Sequence, residues 1–115
     1  MKTTEYYISK GFDKKTAEYF ASGRKKIVYL KVEGKYLLRL TFDNGEEKIY
    51  DCSDLPEEGT VFEVLIDDSI FNRAYVDEDG NLAWDIDPDV DSRKNWNNKI
   101  DISADTCYLD GVIPA

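Results

Sequence analysis

The chain has 115 residues, of which 42% are hydrophobic and 15 are aromatic, so we expect a single folded domain over residues 1–115 and not a disordered chain. It contains no histidine, which excludes His-based catalytic triads, His general bases and His metal ligands. The net charge of −9 divides into +4 over residues 1–50 and −13 over residues 51–115, so direct binding to nucleic acid is unfavourable.

Two features of the sequence bear on its compartment. No apolar stretch approaches the roughly 20 residues of a membrane span, and the first residues lack the apolar core of a signal peptide. Cys52 and Cys107 have no CxxC spacing, which predicts two half-buried thiols, with a disulfide as the minor alternative. We therefore expect a cytoplasmic protein with no membrane contact.

The first 25 residues predict a pair of short helices. One covers residues 3–10, and the other follows an N-cap at Asp13, covers residues 14–22 and ends before Gly23. A basic run at residues 24–26 comes next, which would suit a DNA-binding helical motif. Because the helices are short and no third helix supports them, a helical cover on the sheet is the preferred interpretation.

A three-stranded antiparallel meander is predicted for residues 27–51. Its first strand alternates with period two, which places Val28, Leu30 and Val32 on one face and Ile27, Tyr29 and Lys31 on the other. Two further strand-like runs flank Asn44-Gly45. That dipeptide predicts a type I′ turn, in which both central residues have positive φ.

Short helices and a second hairpin are predicted after residue 51. Residues 60–71 are expected to form two helices of one or two turns, the second capped by Asp67 or Asp68. The dipeptide Asp79-Gly80 indicates the turn of a hairpin between two short strands.

Residues 87–106 are rich in Asp, Asn and Ser and are expected to form a loop anchored by Trp96 and Ile100. The predicted fold class is therefore α+β. It consists of an antiparallel sheet of about five strands, a meander plus the second hairpin, with short helices and the N-terminal helical pair.

Four aspartates at a spacing of two residues form the sharpest local motif: Asp85, Asp87, Asp89 and Asp91. They resemble the first half of an EF-hand loop, in which oxygen atoms at positions 1, 3, 5 and 7 converge on calcium. The later positions do not fit, because Val90 stands where glycine is needed and Trp96 stands where the bidentate glutamate is needed. The motif is a weak calcium-site candidate, and a solvated acidic loop is the favoured interpretation.

Trp84 and Trp96 are candidate partner-binding residues, because tryptophan is enriched at the energetic centres of protein interfaces. The alternative is that both indoles cover the core of a small sheet. Asp85 with Asp101 could form a hydrolytic carboxylate pair, but a chain with 24 acidic residues offers many chance pairs. No nucleotide-binding, nucleophile-elbow or zinc-protease motif is present, so no cofactor and no catalytic residue are predicted.

Four segments carry a resemblance to a known family: LTFDNGEEKIYD at 40–51, GTVFEVL at 59–65, GNLAW at 80–84 and DISADTCY at 101–108. Over residues 26–109 this order resembles the bacterial and phage family catalogued as domain of unknown function 2442. The resemblance implies an α+β core preceded by a helical extension over residues 1–25, and it transfers no catalytic residue. It also implies antitoxin-like partner binding, because some members lie beside small toxins.

Three functions remain as hypotheses. The first is a non-enzymatic interaction or regulatory protein, antitoxin-like, that binds a protein partner through its acidic C-terminal half, with the four aspartates and two tryptophans as contact residues. The second is a mobile-element inhibitor of the anti-defence type that imitates nucleic acid in a basic protein groove. The third and weakest is a metal-assisted or carboxylate enzyme. An uncovered edge strand would also allow a homodimer.

Overall fold

Local caps and alternating apolar residues divide the chain into helices and strands in the computed structural model, which describes residues 2–114. In chain order these are α1 (Thr4–Ser9), α2 (Lys14–Ala21), β1 (Ile27–Gly34), β2 (Leu37–Phe42), β3 (Glu47–Asp51), α3 (Asp68–Phe71), β4 (Tyr75–Val76), β5 (Leu82–Asp85), β6 (Lys99–Ile102) and α4 (Ala104–Asp110). Two 3₁₀ helices lie at Val61–Ile66 and Trp96–Asn98. The predicted α+β class is confirmed.

The strands form two antiparallel three-stranded sheets, β1-β2-β3 and β4-β5-β6, so the prediction of one sheet of about five strands is wrong. The additional strand, β6, lies within residues 87–106, which the sequence pattern assigns to a loop, and it pairs with β5. The sheets meet where the Ile27 N–H donates to the Gly80 carbonyl oxygen at 2.8 Å. Within residues 2–114, β6 has a strand neighbour on one side, so the homodimer through an edge strand stays a prediction.

A β-bulge in β1 reverses the predicted facing of its first two residues. Ile27 lies opposite Phe42 and Tyr29 lies opposite Thr41, so β1 has one residue more than β2 at this point. As a result, Ile27 is only 2% exposed, whereas Val28 is 59% exposed. Simple alternation assigns Ile27 and Val28 to the wrong faces of the strand, because the bulge shifts the alternation by one residue.

The hairpin between β2 and β3 uses a different turn from the predicted type I′ turn. Gly45 has φ of 86°, but Asn44 does not have positive φ. The Gly45 N–H donates to the Phe42 carbonyl oxygen at 2.9 Å, which makes Asp43 and Asn44 the central turn residues. The Asn44 side chain then accepts from the Glu46 N–H at 3.0 Å. This is a three-residue hairpin loop with glycine in the left-handed position.

The hydrophobic core collects side chains from β2, β5, β6, α3 and α4, among them Leu38, Leu40, Phe42, Phe71, Leu82, Trp84 and Ile100. Cys52 and Cys107 belong to the same core, and both are fully buried and free, so the prediction of half-buried thiols is wrong. Burial raises the pKa of the Cys52 thiol to about 12. Its reactive thiolate is therefore scarce at neutral pH, and packing accounts for this residue.

The predicted helix caps are confirmed by hydrogen bonds. The Asp13 carboxylate accepts from the Thr16 N–H at 2.8 Å, and the Asp67 carboxylate accepts from the Ser69 N–H at 2.9 Å. Gly23 follows α2 with φ of 97°, as the end of the helix requires. Among the helices within residues 2–114, none combines the length and the apolar character that a membrane crossing needs.

Candidate functional site

The acidic loop, residues 87–92, is built around the buried side chain of Asn98. Its Oδ1 accepts from the Asp87 N–H at 2.9 Å. Its Nδ2 is directed at three acceptors, namely the carbonyl oxygens of Asp87 (3.0 Å) and Val90 (3.1 Å) and the Ser92 Oγ (3.0 Å). A buried amide whose oxygen and nitrogen are both hydrogen-bonded to the loop holds the backbone around it in one conformation, so the acidic side chains project from a fixed loop.

An open cleft of about 520 Å³ lies between the acidic loop and the hairpin of β4 and β5, and we call it the acidic cleft. Five of its lining residues are acidic: Asp77, Glu78, Asp85, Asp89 and Asp91. Three are apolar (Val76, Pro88 and Val90) and two are basic (Arg93 and Lys99). Acidic residues are the largest group in the lining and lie beside apolar ones, which suits a basic protein segment with aliphatic side chains.

Asp85 connects β5 to the acidic loop by hydrogen bonds. Its Oδ1 accepts from the Tyr75 hydroxyl at 2.7 Å and from the Ser92 hydroxyl at 2.6 Å. Burial, and then the hydrogen bond to Asp85, raises the pKa of Tyr75 well above its ordinary value. Tyr75 therefore stays protonated and donates, and Asp85 acts as an internal acceptor in the cleft wall.

Asp77 and Lys99 form an ion pair at the base of the cleft, with Nζ and Oδ2 3.0 Å apart and the Asp77 side chain 1% exposed. Burial alone would raise the pKa of Asp77. The Asn81 N–H, the Lys99 ammonium and the Asp79 N–H outweigh burial and hold that pKa below its ordinary value of 3.8. The same carboxylate raises the pKa of Lys99.

Replacing Asp77 with asparagine is expected to lower the free energy of unfolding by about 1–3 kcal/mol at pH 7, because charge-assisted hydrogen bonds from Lys99 and two N–H groups are weakened. Folding lowers the pKa of Asp77. The stabilisation that its charge contributes is therefore complete above pH 3.8 and is lost as the pH falls through the lower pKa of the folded state. Denaturant unfolding between about pH 2.5 and pH 7 should give a shallower acid dependence of the free energy of unfolding for the variant than for the wild type. An unchanged acid dependence would contradict this assignment.

The structure does not bring the four predicted aspartates together as calcium ligands. Asp85 bonds to Tyr75 and Ser92, Asp87 accepts from the Asp89 N–H at 3.0 Å, and Asp91 pairs with Arg93 at 3.2 Å. Across residues 2–114, no three Cys, Asp or Glu side chains converge as metal ligands would. The structure therefore gives the calcium candidate no support, because the spaced carboxylates cap their own backbone or bind neighbours.

The two tryptophans have opposite environments. Trp84 is fully buried, and its indole N–H donates to the Phe71 carbonyl oxygen at 3.1 Å, so it cannot contact a partner in the folded state. Trp96 is 84% exposed, so its prediction as a core anchor is wrong, whereas Ile100 is 8% exposed and is an anchor as predicted. Trp96 alone of this pair is available to a partner.

Asp101 does not line the acidic cleft, so the structure does not support the suggested carboxylate pair with Asp85. The residues that organise the cleft are ones that the sequence motifs miss: Tyr75, Asp77, Ser92, Asn98 and Lys99. Asp77 follows β4 and Lys99 begins β6, so their pairing joins residues far apart in sequence and leaves no local signature.

Comparison with protein-family models finds a match that covers both sheets. The model described as "Protein of unknown function (DUF2442)" matches residues 27–109, from the start of β1 into α4, and so includes the acidic cleft. It leaves out α1 and α2. The comparisons with curated proteins and with solved structures found no match. By its sequence over these residues, the chain belongs to the DUF2442 family.

Proposed function

We propose that this chain is a non-enzymatic, antitoxin-like or regulatory protein of the cytoplasm that binds a protein partner through the acidic surface of its C-terminal half. The contact surface consists of the acidic loop, the rim of the acidic cleft and Trp96. Two buried free cysteines support a reducing compartment.

The exposure of Trp96 is the observation that carries the proposal. A tryptophan side chain can bury roughly 150–250 Å², and at roughly 25 cal/mol per Å² this corresponds to about 4–6 kcal/mol on transfer from water. Trp96 is 84% exposed and opens the 3₁₀ helix that ends at Asn98, the anchor of the acidic loop. The acidic loop next to this indole is held by Asn98, so little loop entropy remains to be lost on binding.

The charges around the cleft indicate a basic partner surface. Within residues 2–114, the carboxylates of Glu78 and Asp89 make no hydrogen bond or ion pair through their side chains, and both residues are exposed at the cleft. Their negative charge is therefore available to lysine or arginine side chains of a partner. Such complementarity accelerates association and selects the partner more than it adds affinity.

The test uses the full chain as bait in affinity capture from the native host, followed by binding measurements with the purified partner. One variant neutralises the loop by Asp87→Asn, Asp89→Asn and Asp91→Asn, and a second is Trp96→Ala. The matched control removes three negative charges elsewhere by Asp54→Asn, Glu57→Gln and Glu58→Gln. We expect roughly tenfold or greater loss of affinity for each of the first two and little change for the control.

Equal capture of the same partner by all four forms would reject the acidic loop and Trp96 as the interface. Equal losses in the loop variant and the control would indicate a dependence on net charge alone. Circular dichroism should first establish that each variant keeps the wild-type fold.

Imitation of nucleic acid remains a second candidate, because carboxylates from the β4–β5 turn and from the acidic loop line one cleft. A mimic occupies the site of the nucleic acid on its partner, so duplex DNA or RNA should displace it in competition. Lys99 and Arg93 interrupt the negative surface of the cleft, which favours ordinary partner binding over a continuous phosphate-like row. Lack of displacement by nucleic acid would remove this candidate.

A further inference from the structure

The helical pair, α1 and α2, forms a small packing unit of its own outside residues 27–109, the part of the chain matched by the family model. Three aromatic rings hold the two helices together. The ring centroids of Tyr7 and Phe20 lie 5.7 Å apart, and those of Phe12 and Phe20 lie 5.4 Å apart. The principal contacts of α1 are with α2, and those of α2 with the rest of the protein are with α4.

The contact between the pair and α4 is small and partly polar. Ala17 and Tyr19 are the residues of α1 and α2 that are buried. The Tyr19 ring lies 5.0 Å from the Tyr108 ring, and its hydroxyl donates to the Asp105 carboxylate. Arg24 forms an ion pair with the same carboxylate at 2.5 Å. We call Tyr19, Arg24 and Asp105 the latch.

The segment between the pair and β1 has the properties of a hinge. Gly23 has φ of 97°, and no atom lies within 4 Å of the position that a Cβ would take there. Residues 23–26 belong to no helix or strand. The chain becomes fixed at Lys26, whose carbonyl oxygen accepts from the Asp43 N–H at 2.9 Å, and at Ile27, which is 2% exposed and donates its N–H to the Gly80 carbonyl oxygen at 2.8 Å.

We infer that the helical pair is a hinged cover of α4 that opens as one unit about residues 23–25 while both sheets stay folded. A unit that keeps its own aromatic packing and loses only a small outer contact has a lower opening free energy than the core. Opening uncovers the Tyr108 ring and the Leu109 carbonyl oxygen, which accepts from the Lys15 ammonium in the closed form. The latch sets the population of the open form, because its charge-assisted hydrogen bonds exist only when the cover is closed.

Native-state hydrogen exchange on the full chain, resolved by peptide mass spectrometry, tests this cover. In the wild type, the helical amides of residues 17–22 should exchange faster than those of β2 and β5 at equal solvent conditions. Asp105→Asn should accelerate exchange of residues 17–22 about tenfold and leave β2 and β5 within about twofold, since the charge of the latch is lost. Tyr19→Phe keeps the ring, removes the hydroxyl, and should shift the same amides in the same direction.

Asp110→Asn is the matched control, because it makes the same change at the end of α4, where the Asp110 side chain has no hydrogen bond or ion pair within residues 2–114. It should leave exchange of residues 17–22 unchanged. Protection of residues 17–22 equal to that of β2 in the wild type would overturn the inference. So would acceleration of all segments alike by Asp105→Asn, because the pair would then unfold only together with the core.

Discussion

Trp84→Ala is expected to lower the free energy of unfolding by about 3–5 kcal/mol, a large share of the roughly 5–15 kcal/mol available to a domain of this size. The indole is fully buried between the sheets and α3, and its ring centroid lies 6.0 Å from that of Phe71. Alanine would leave a cavity and remove one of the two N–H donors to the Phe71 carbonyl oxygen, which would keep only the Ala74 N–H. Urea denaturation followed by far-UV circular dichroism measures the change.

Trp96→Ala is the control for this substitution within the same chain. Because the Trp96 side chain is 84% exposed, its removal should change the free energy of unfolding by about 0.5 kcal/mol or less. Trp84→Phe retains most of the buried volume and should fall between the two, since it loses chiefly the N–H donor. A comparable loss for both alanine variants would show that Trp96 is packed in solution and would remove it from the proposed interface.

Sequence patterns predicted best the features whose causes are local. Asp13 and Asp67 cap the helices that follow them, and Gly23 ends α2, because the hydrogen bonds of a cap span only two or three residues. The Asp79-Gly80 hairpin is correct for the same reason. The type of turn at Asn44-Gly45 is harder to predict, because this dipeptide fits more than one hairpin loop and the register of the neighbouring strands decides between them.

Features that depend on contacts distant in sequence were predicted poorly. The strand β6 has only four residues and lies in a stretch rich in Asn and Asp. It forms because β5 offers hydrogen-bonding partners to its backbone. Nothing in the sequence distinguishes Trp84 from Trp96, but only Trp84 lies on a central strand, because β5 pairs with β4 on one side and with β6 on the other. The sequence motif does not predict where the four aspartate side chains point, because contacts with Asn98 and Arg93 decide the conformation of this segment.

Asn98 holds the acidic loop in one conformation. Its removal is the second substitution that we expect to lower the free energy of unfolding substantially. Asn98→Ala leaves the Asp87 N–H and the carbonyl oxygens of Asp87 and Val90 without their buried partner. We expect a loss of about 2–3 kcal/mol in the free energy of unfolding. Hydrogen exchange of the acidic loop should also become faster, because its conformation is no longer held.

Asn98→Asp separates loss of packing from loss of hydrogen-bond donors, because it keeps the shape of the side chain. The new carboxylate would face the carbonyl oxygens of Asp87 and Val90, so burial and repulsion should raise its pKa above the ordinary range. The destabilisation should therefore be largest at neutral pH and should diminish as the pH falls through that raised pKa. Asn97→Asp adds the same charge at an exposed neighbour and should cost little. If both aspartate variants were equally stable across this range, Asn98 would not be the anchor, and the loop would be flexible when it meets a partner.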